Sequence, residues 1–408
     1  MKKIISIILF MCFVLTGCTI EQNKEVIKEK TTAVSNIVTQ QEIRSVWLTY
    51  YELQKIVTKS EKEFRNNITK VFENIKDIGF NTLTVQVRPC ADAFYNSKYF
   101  PISRYCKAQE NDELLYDPLE IICELSKKFE INIEAWINPY RVSQDNKIDK
   151  LNKHSIAYKW YNKKATKDRV YVTDNGIYFN PSSQEVEDLI VNGVKEIVKN
   201  YDIYAIHFDD YFYPTKKKDI DKNNYKKYVS DGGKLKLSDY RRDIVNKMVK
   251  TVYAAVKDIN KSVLFGISPA SDIDNNYDTL YADVKTWVTQ EGYVDYICPQ
   301  IYFGFKNVYQ PFMFTTKKWI SLAENTKIFV GLPLYKCGQK DKYAAKNDKS
   351  IINEFKNNND IISRQITYLS KLDEISGFYV FSYSNLIDEN NAAEVENMKN
   401  AMQNSSQE

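Results

Sequence analysis

The stretch Ala205-Ile206-His207-Phe208-Asp209-Asp210-Tyr211-Phe212-Tyr213-Pro214 starts as a core strand and runs into two adjacent carboxylates set among aromatic rings. Side chains alternate across a strand, so Ile206 and Phe208 face one way and His207 and Asp209 the other. An ionisable pair therefore occupies a face that a buried strand normally fills with aliphatics. That face is where chemistry is expected.

Working outward, the hydrophobic period alternates regularly between strand and helix. Strands are expected over 43–50, 82–88, 132–138, 203–209, 263–268, 294–301, 328–333 and 378–382, with helices over 61–78, 118–129, 183–199, 239–257, 279–289, 311–324, 350–370 and 392–402. Asp117-Pro118 and Asn180-Pro181-Ser182-Ser183 supply helix starts, and Gly79 a helix stop. Eight βα units in succession imply a parallel sheet, and eight strands close a barrel. The fold class is α/β, a single (β/α)8 TIM barrel over 42–405, with long connections after the third and fourth strands at 139–182 and 211–237. Loops of this length are usually functional, and βα loops form the active-site face of a barrel.

The N-terminus addresses location. Met1-Lys2-Lys3, an apolar run from Ile4 to Leu15 and Leu15-Thr16-Gly17-Cys18 resemble a bacterial lipoprotein signal, which makes 1–17 the signal peptide and Cys18 the lipidated residue. Residues 18–41 are polar and read as a tether, so the protein is expected outside the cytoplasm, held to a bacterial membrane by lipid.

The formal charge of +4 becomes +2 without Lys2 and Lys3, and no basic stripe is concentrated enough for nucleic acid. The lysine-rich segment 216–227 carries Asp219 and Asp221 and reads as a solvated loop. Cys90, Cys106, Cys123, Cys298 and Cys337 show no close-spaced pattern; Cys90 and Cys106 share one loop, and whether they pair stays open. His154 and His207 are the only histidines, which excludes a multi-histidine metal site, and 12 Gly leave no phosphate-cradling loop. Asp272-x-Asp274-x-Asn276 starts like a calcium loop, but Tyr277 stands where the turn needs Gly, so Asp278 is read as a helix cap. No metal and no cofactor is expected.

The inward parity of each strand gives Thr84, Gln86 and Arg88; Glu134, Trp136 and Asn138; His207 and Asp209; Gly266 and Ser268; and Cys298, Gln300 and Tyr302. Any one of these fits a satisfied core network, and Glu134 with Arg88 fits a structural ion pair. Together they make a polar mouth. Carboxylates from different strands with rings around them suit glycoside hydrolysis, in which one carboxyl protonates the leaving oxygen and another acts as nucleophile or base. Asp209 is the first candidate, Asp210 its neighbour pointing the other way as an orienter, and Glu134 the second carboxylate. Trp47, Trp136, Tyr140, Tyr211, Tyr213 and Tyr302 are candidate sugar platforms, and Arg88, Asn138, Arg141, His207 and Gln300 candidate polar contacts.

Several segments, taken together, resemble the glycosyl-hydrolase-like family 10 lipoproteins of bacteria. They are Arg44-Ser45-Val46-Trp47-Leu48, Val85-Gln86-Val87-Arg88-Pro89, Asp92-Ala93, Asp117-Pro118-Leu119, Glu134 to Arg141, Ile206 to Pro214, Arg241-Arg242-Asp243, Gly266-Ile267-Ser268-Pro269, Asp295 to Tyr302 and Gly331-Leu332-Pro333. The resemblance implies a TIM-barrel glycosidase, some relatives acting on peptidoglycan strands stripped of stem peptides. Tyr240 departs from the family's usual Arg or Trp at that place. A fainter likeness to chitinase-type barrels lacks their terminal Glu, since Tyr211 stands there. The expected function is hydrolysis of cell-wall glycan, the alternatives being hydrolysis of another extracellular polysaccharide, or surface carbohydrate binding without catalysis.

Overall fold

A computed structural model describes residues 42–323 and 326–404. The signal peptide, Cys18 and the tether lie outside the described residues. Eight strands, β1 (Ile43–Leu48), β2 (Thr82–Arg88), β3 (Asn132–Ile137), β4 (Ala205–Phe208), β5 (Leu264–Ile267), β6 (Tyr296–Ile297), β7 (Lys327–Leu332) and β8 (Ile375–Val380), close into a barrel. Every neighbouring pair, including β1 with β8, is parallel.

A helix follows each strand: α1 (Glu61–Ile78), α2 (Pro118–Phe129), α3 (Gln184–Asn200), α4 (Leu237–Ile259), α5 (Val284–Thr289), α6 (Phe312–Ile320), α7 (Ile361–Leu369) and α8 (Ala392–Asn404). In α1 the buried stripe Phe64, Ile68, Val71, Phe72 and Ile75 recurs at helical spacing; Ser60 accepts from the Glu63 N–H at its start, and Gly79 ends it in the left-handed region. Asp117 caps α2 with Pro118 in its first turn, as the sequence predicts.

Among the boundaries that differ from expectation, three have a cause that can be read directly. β1 stops at Leu48 because Thr49 and Glu52 form a capping box that starts a short helix at Tyr50. The long segment 350–370 breaks into Lys349–Ile352, Glu354–Asn357 and α7, around a run of poor helix formers from Asn357 to Asp360. Its last piece is started by a tertiary partner: the buried carboxylate of Glu394 in α8 accepts from the N–H groups of Ile361 and Ser363. Asp278 is not a cap but the last residue of the helix Ile273–Asp278, which Asp272 caps; Asp283 caps the helix that follows.

Leu83, Val85, Ile133, Ala135, Ile206 and Phe208 pack toward the helix layer. A second cluster, with Trp47, Trp136, Tyr296, Phe329 and Tyr379, fills the barrel interior. This interior is aromatic because small residues make room for rings. A Cβ on Gly266 would overlap the Tyr296 ring, whose hydroxyl bonds His207 Nδ1 at 2.9 Å. Gly266→Ala is expected to lower unfolding free energy by about 1–3 kcal/mol through overpacking; an unchanged thermal midpoint would show that the ring has room to move.

The connection between β3 and α3 carries its own sheet, Arg141–Ser143, Gly176–Phe179 and Val170–Thr173 in that order. The connection between β4 and α4 carries the helix Lys222–Ser230. All five cysteines in the described residues are buried and unpaired, Cys90 and Cys106 among them.

Candidate active site

At the C-terminal ends of the strands lies a cleft of about 230 Å³. It is lined by Trp47, Trp136, Arg141, Asp209, Asp210, Tyr211, Gln300 and Tyr302, together with Thr49, Tyr50, Tyr51, Gln86, Gln144, Ser268 and Phe381. Both aspartates reach the same cleft. The expectation that Asp210 points away fails because β4 ends at Phe208, and alternation holds only while a strand lasts.

Asp209 is held in place from three sides. Its Oδ2 accepts from Trp136 Nε1 at 3.0 Å and Asn138 Nδ2 at 3.2 Å, and its Oδ1 from the Tyr211 N–H at 3.4 Å. Asn138 Oδ1 in turn accepts from the Arg141 N–H, and Arg141 Nε donates to the Pro89 carbonyl. Burial pushes the Asp209 carboxyl up to about 7, with the Asp210 charge adding to the effect, against the pull of Arg141 and of the Trp136 and Tyr211 donors. Burial also raises Asp210, opposed by the Gln300 amide beside it. Burial and the neighbouring Asp210 charge thus disfavour ionisation of Asp209, which keeps its proton up to about pH 7.

Rings form the walls. Tyr211 is 47% exposed with the Arg141 guanidinium 5.0 Å from its ring centre. Phe381 lies 5.9 Å from Trp47 and 6.1 Å from Tyr302. Tyr50 and Tyr51 both donate to Gln144 Oε1 at 2.7 Å. Flat apolar faces beside paired carboxylates are what a sugar ring and its glycosidic oxygen require.

Several predicted site residues lie elsewhere. Glu134 is fully buried below the cleft, where Oε1 accepts from Tyr379 and Oε2 from Thr84; burial pushes it up to about 7. It does not line the cleft. His207, 3.5 Å from Glu134, bonds Tyr296 and Ser268, and burial pushes its imidazole down to about 3, so it is neutral and no ion pair forms. Arg88 turns into the helix layer, over the Phe100 ring at 4.3 Å and against Gly193 of α3, because the register shifts between Gln86 and Arg88. Tyr140 is buried beside Glu187 of α3, and Tyr213 packs on Tyr281 and Arg241; neither is a platform. The sequence reading missed Tyr50, Gln144 and Phe381. Phe381 shares the inward parity of Tyr379 and was within reach of that argument, whereas Gln144 arrives only through the folding of the β3 excursion.

A larger cavity of about 380 Å³ beside Arg104 and Ser143 also holds acids, Asp92 and Asp112. No aromatic residue lines it, so it lacks a face for a sugar.

Fold and site together define a barrel glycosidase. The chain belongs to the glycosyl hydrolase-like 10 family, whose model matches residues 42–349, and it is a glycoside hydrolase. It is 32% identical over 377 residues to glycosyl hydrolase YngK of Bacillus subtilis (strain 168), covering 86% of this chain and 70% of that protein. It is 30% identical over 291 residues to glycosyl hydrolase DigH of Escherichia coli (strain K12), covering 66% of each. Among solved structures, the fold resembles the glycoside hydrolase domain of PgaB (BpsB) from Bordetella bronchiseptica, with a TM-score of 0.54 and 11% identity over 89% of this chain and 99% of that one. It also resembles alpha-L-fucosidase isoenzyme 2 from Paenibacillus thiaminolyticus, with a TM-score of 0.56 and 12% identity over 90% of this chain and 49% of that one.

Proposed function

We propose that this glycoside hydrolase, anchored to a bacterial membrane through Cys18, cleaves peptidoglycan glycan strands that lack stem peptides, with Asp209 and Asp210 as the catalytic pair. The observation that carries the reaction is the opening of both carboxylates into one ring-walled cleft. One carboxyl, protonated, delivers its proton to the leaving glycosidic oxygen; the other, ionised, serves as nucleophile or activates water. Arg141, buried at the cleft wall, supports an acidic substrate. Removal of the stem peptide frees a carboxylate on alternate sugars, and a guanidinium pairs well with a carboxylate. The Leu15-Thr16-Gly17-Cys18 signal supports placement beside the wall.

The test is mass spectrometry of soluble products from peptide-stripped strands, intact sacculi and chitin oligomers. Fragments from stripped strands alone support this substrate; fragments from chitin alone replace it, and sugar binding with no fragments from any of the three removes the hydrolase reading.

The raised Asp209 carboxyl also sets a pH dependence. The carboxyls' pKa values are raised, so the protonated member loses its proton as pH rises through about 7, and activity should fall there. At low pH both become protonated and activity falls again, giving a bell. A kcat profile flat from pH 6 to 9 would contradict a proton held by this pair.

A further inference from the structure

We propose that the enzyme holds an acidic sugar of its glycan in a second, lysine-lined groove, reached from the catalytic cleft along the small sheet of the β3 excursion. This inference rests on the glycan-hydrolase reading above and adds a subsite to it.

The route is a single cross-strand row. Arg141 pairs with Tyr178, and Tyr178 with Tyr171. Directly paired residues point to the same face of a sheet, and strands stand ~4.8 Å apart, so the row runs ~10 Å outward from the cleft. Arg141 lines the cleft at one end. Tyr178, half-buried, lies between. Tyr171 lines a separate groove of about 430 Å³ with Lys164, Lys167 and, from the β4 connection, Asn223.

Cations outnumber acids around that groove. Lys164 and Lys167 on one side and Lys217, Lys218 and Lys222 on the adjoining connection are all exposed. Of the acids nearby, Asp221 is clamped by Arg241 and Glu185 pairs with Arg169, which leaves Asp168, bonded to Asn223, and Asp219, beside Tyr171, against the five lysines. A tyrosine face with an excess of ammonium groups suits a sugar ring that carries a carboxylate. Because the Arg141–Tyr178–Tyr171 row links the groove to the cleft, the acidic sugar in it belongs to the chain being cut, a few units from the scissile bond.

The probe is a tetrasaccharide of alternating N-acetylglucosamine and N-acetylmuramic acid, beside the same compound with its carboxyls reduced to alcohols. Binding is read by calorimetry on the Asp209→Asn protein, which does not consume the ligand. The carboxylate form should bind roughly fivefold to tenfold more tightly at low salt, as two exposed charges allow, and the preference should fade as added salt screens them. Lys164→Gln with Lys167→Gln should shrink the preference to the share that Arg141 supplies in the cleft, while leaving affinity for the reduced form unchanged. A preference undiminished by the double substitution overturns the groove and assigns the discrimination to Arg141 alone. Cleavage of both forms by the wild type without any binding preference also overturns the groove and keeps the hydrolase. A preference that the lysine substitutions reduce, with no cleavage by the wild type, keeps the groove and removes the hydrolase.

Discussion

Replacing Asp209 by Asn is expected to lower kcat by about 10²–10⁴-fold, the range for loss of a positioned proton donor or acceptor, while glycan affinity changes little. The substitution is nearly isosteric. The amide oxygen can keep the place of Oδ2 and accept from Trp136 and Asn138, so the wall of the cleft stays as it is. What disappears is a group able to ionise. Asp210→Asn should fall in the same range, and the double variant should be little worse than either single one, because an acid and a base that serve the same bond act as a unit. Glu134→Gln provides the contrast. Its carboxyl is engaged by Tyr379 and Thr84 below the cleft, so the loss should appear in the thermal midpoint, with kcat within about tenfold of wild type, short of the range for a proton-transfer group. The same assay on stripped strands measures all four. Retention of a tenth or more of wild-type kcat in Asp209→Asn sinks the assignment, as does a Glu134→Gln variant that is stable yet inactive.

The second large effect concerns stability. Asp221→Ala should destabilise the fold by about 3–5 kcal/mol, since it strands a buried arginine without its counter-charge. Asp221 and Arg241 are both fully buried and joined by two bonds of 2.7 and 2.8 Å. Arg241 of α4 also donates to the carbonyls of Lys216 and Lys217 and to the Tyr281 hydroxyl. One guanidinium thus fixes the connection that begins with Asp209, Asp210 and Tyr211. Thermal unfolding would show the loss as a lower midpoint, and kcat/KM should drop as well because the aspartates ride on that connection. Removing both partners, as Asp221→Leu with Arg241→Met, should recover part of the loss, since two apolar groups leave no charge unpaired. A single variant within about 1 kcal/mol of wild type would mean the pair is solvated, against its burial.

These two predictions separate what a chain shows by itself from what it shows only when folded. Local rules are written in short windows. Alternation at Ile206 to Phe208, the Asp117-Pro118 start of α2 and the Gly79 stop of α1 were all legible, and the eightfold recurrence of strand and helix carried the barrel. The polar character of the mouth was legible in part for the same reason: Trp47 and Trp136 keep the parity of their strands and reach the cleft, and Asp209, Gln300 and Tyr302 reach it from just past the ends of theirs.

Tertiary structure decided whatever depends on where a strand ends or on what packs behind it. Parity placed Arg88 inside, but a register shift sent it to the helix layer. Parity set Asp210 against Asp209, but both stand past the end of β4, where alternation no longer applies. Asp221, in a run of lysines, had every mark of a solvated loop, yet it lies at zero exposure against an arginine 20 residues away. The reason is common to all three. Strand period and turn chemistry act through neighbours along the chain, whereas burial and charge pairing are set by groups far apart in sequence that only the closed barrel brings together.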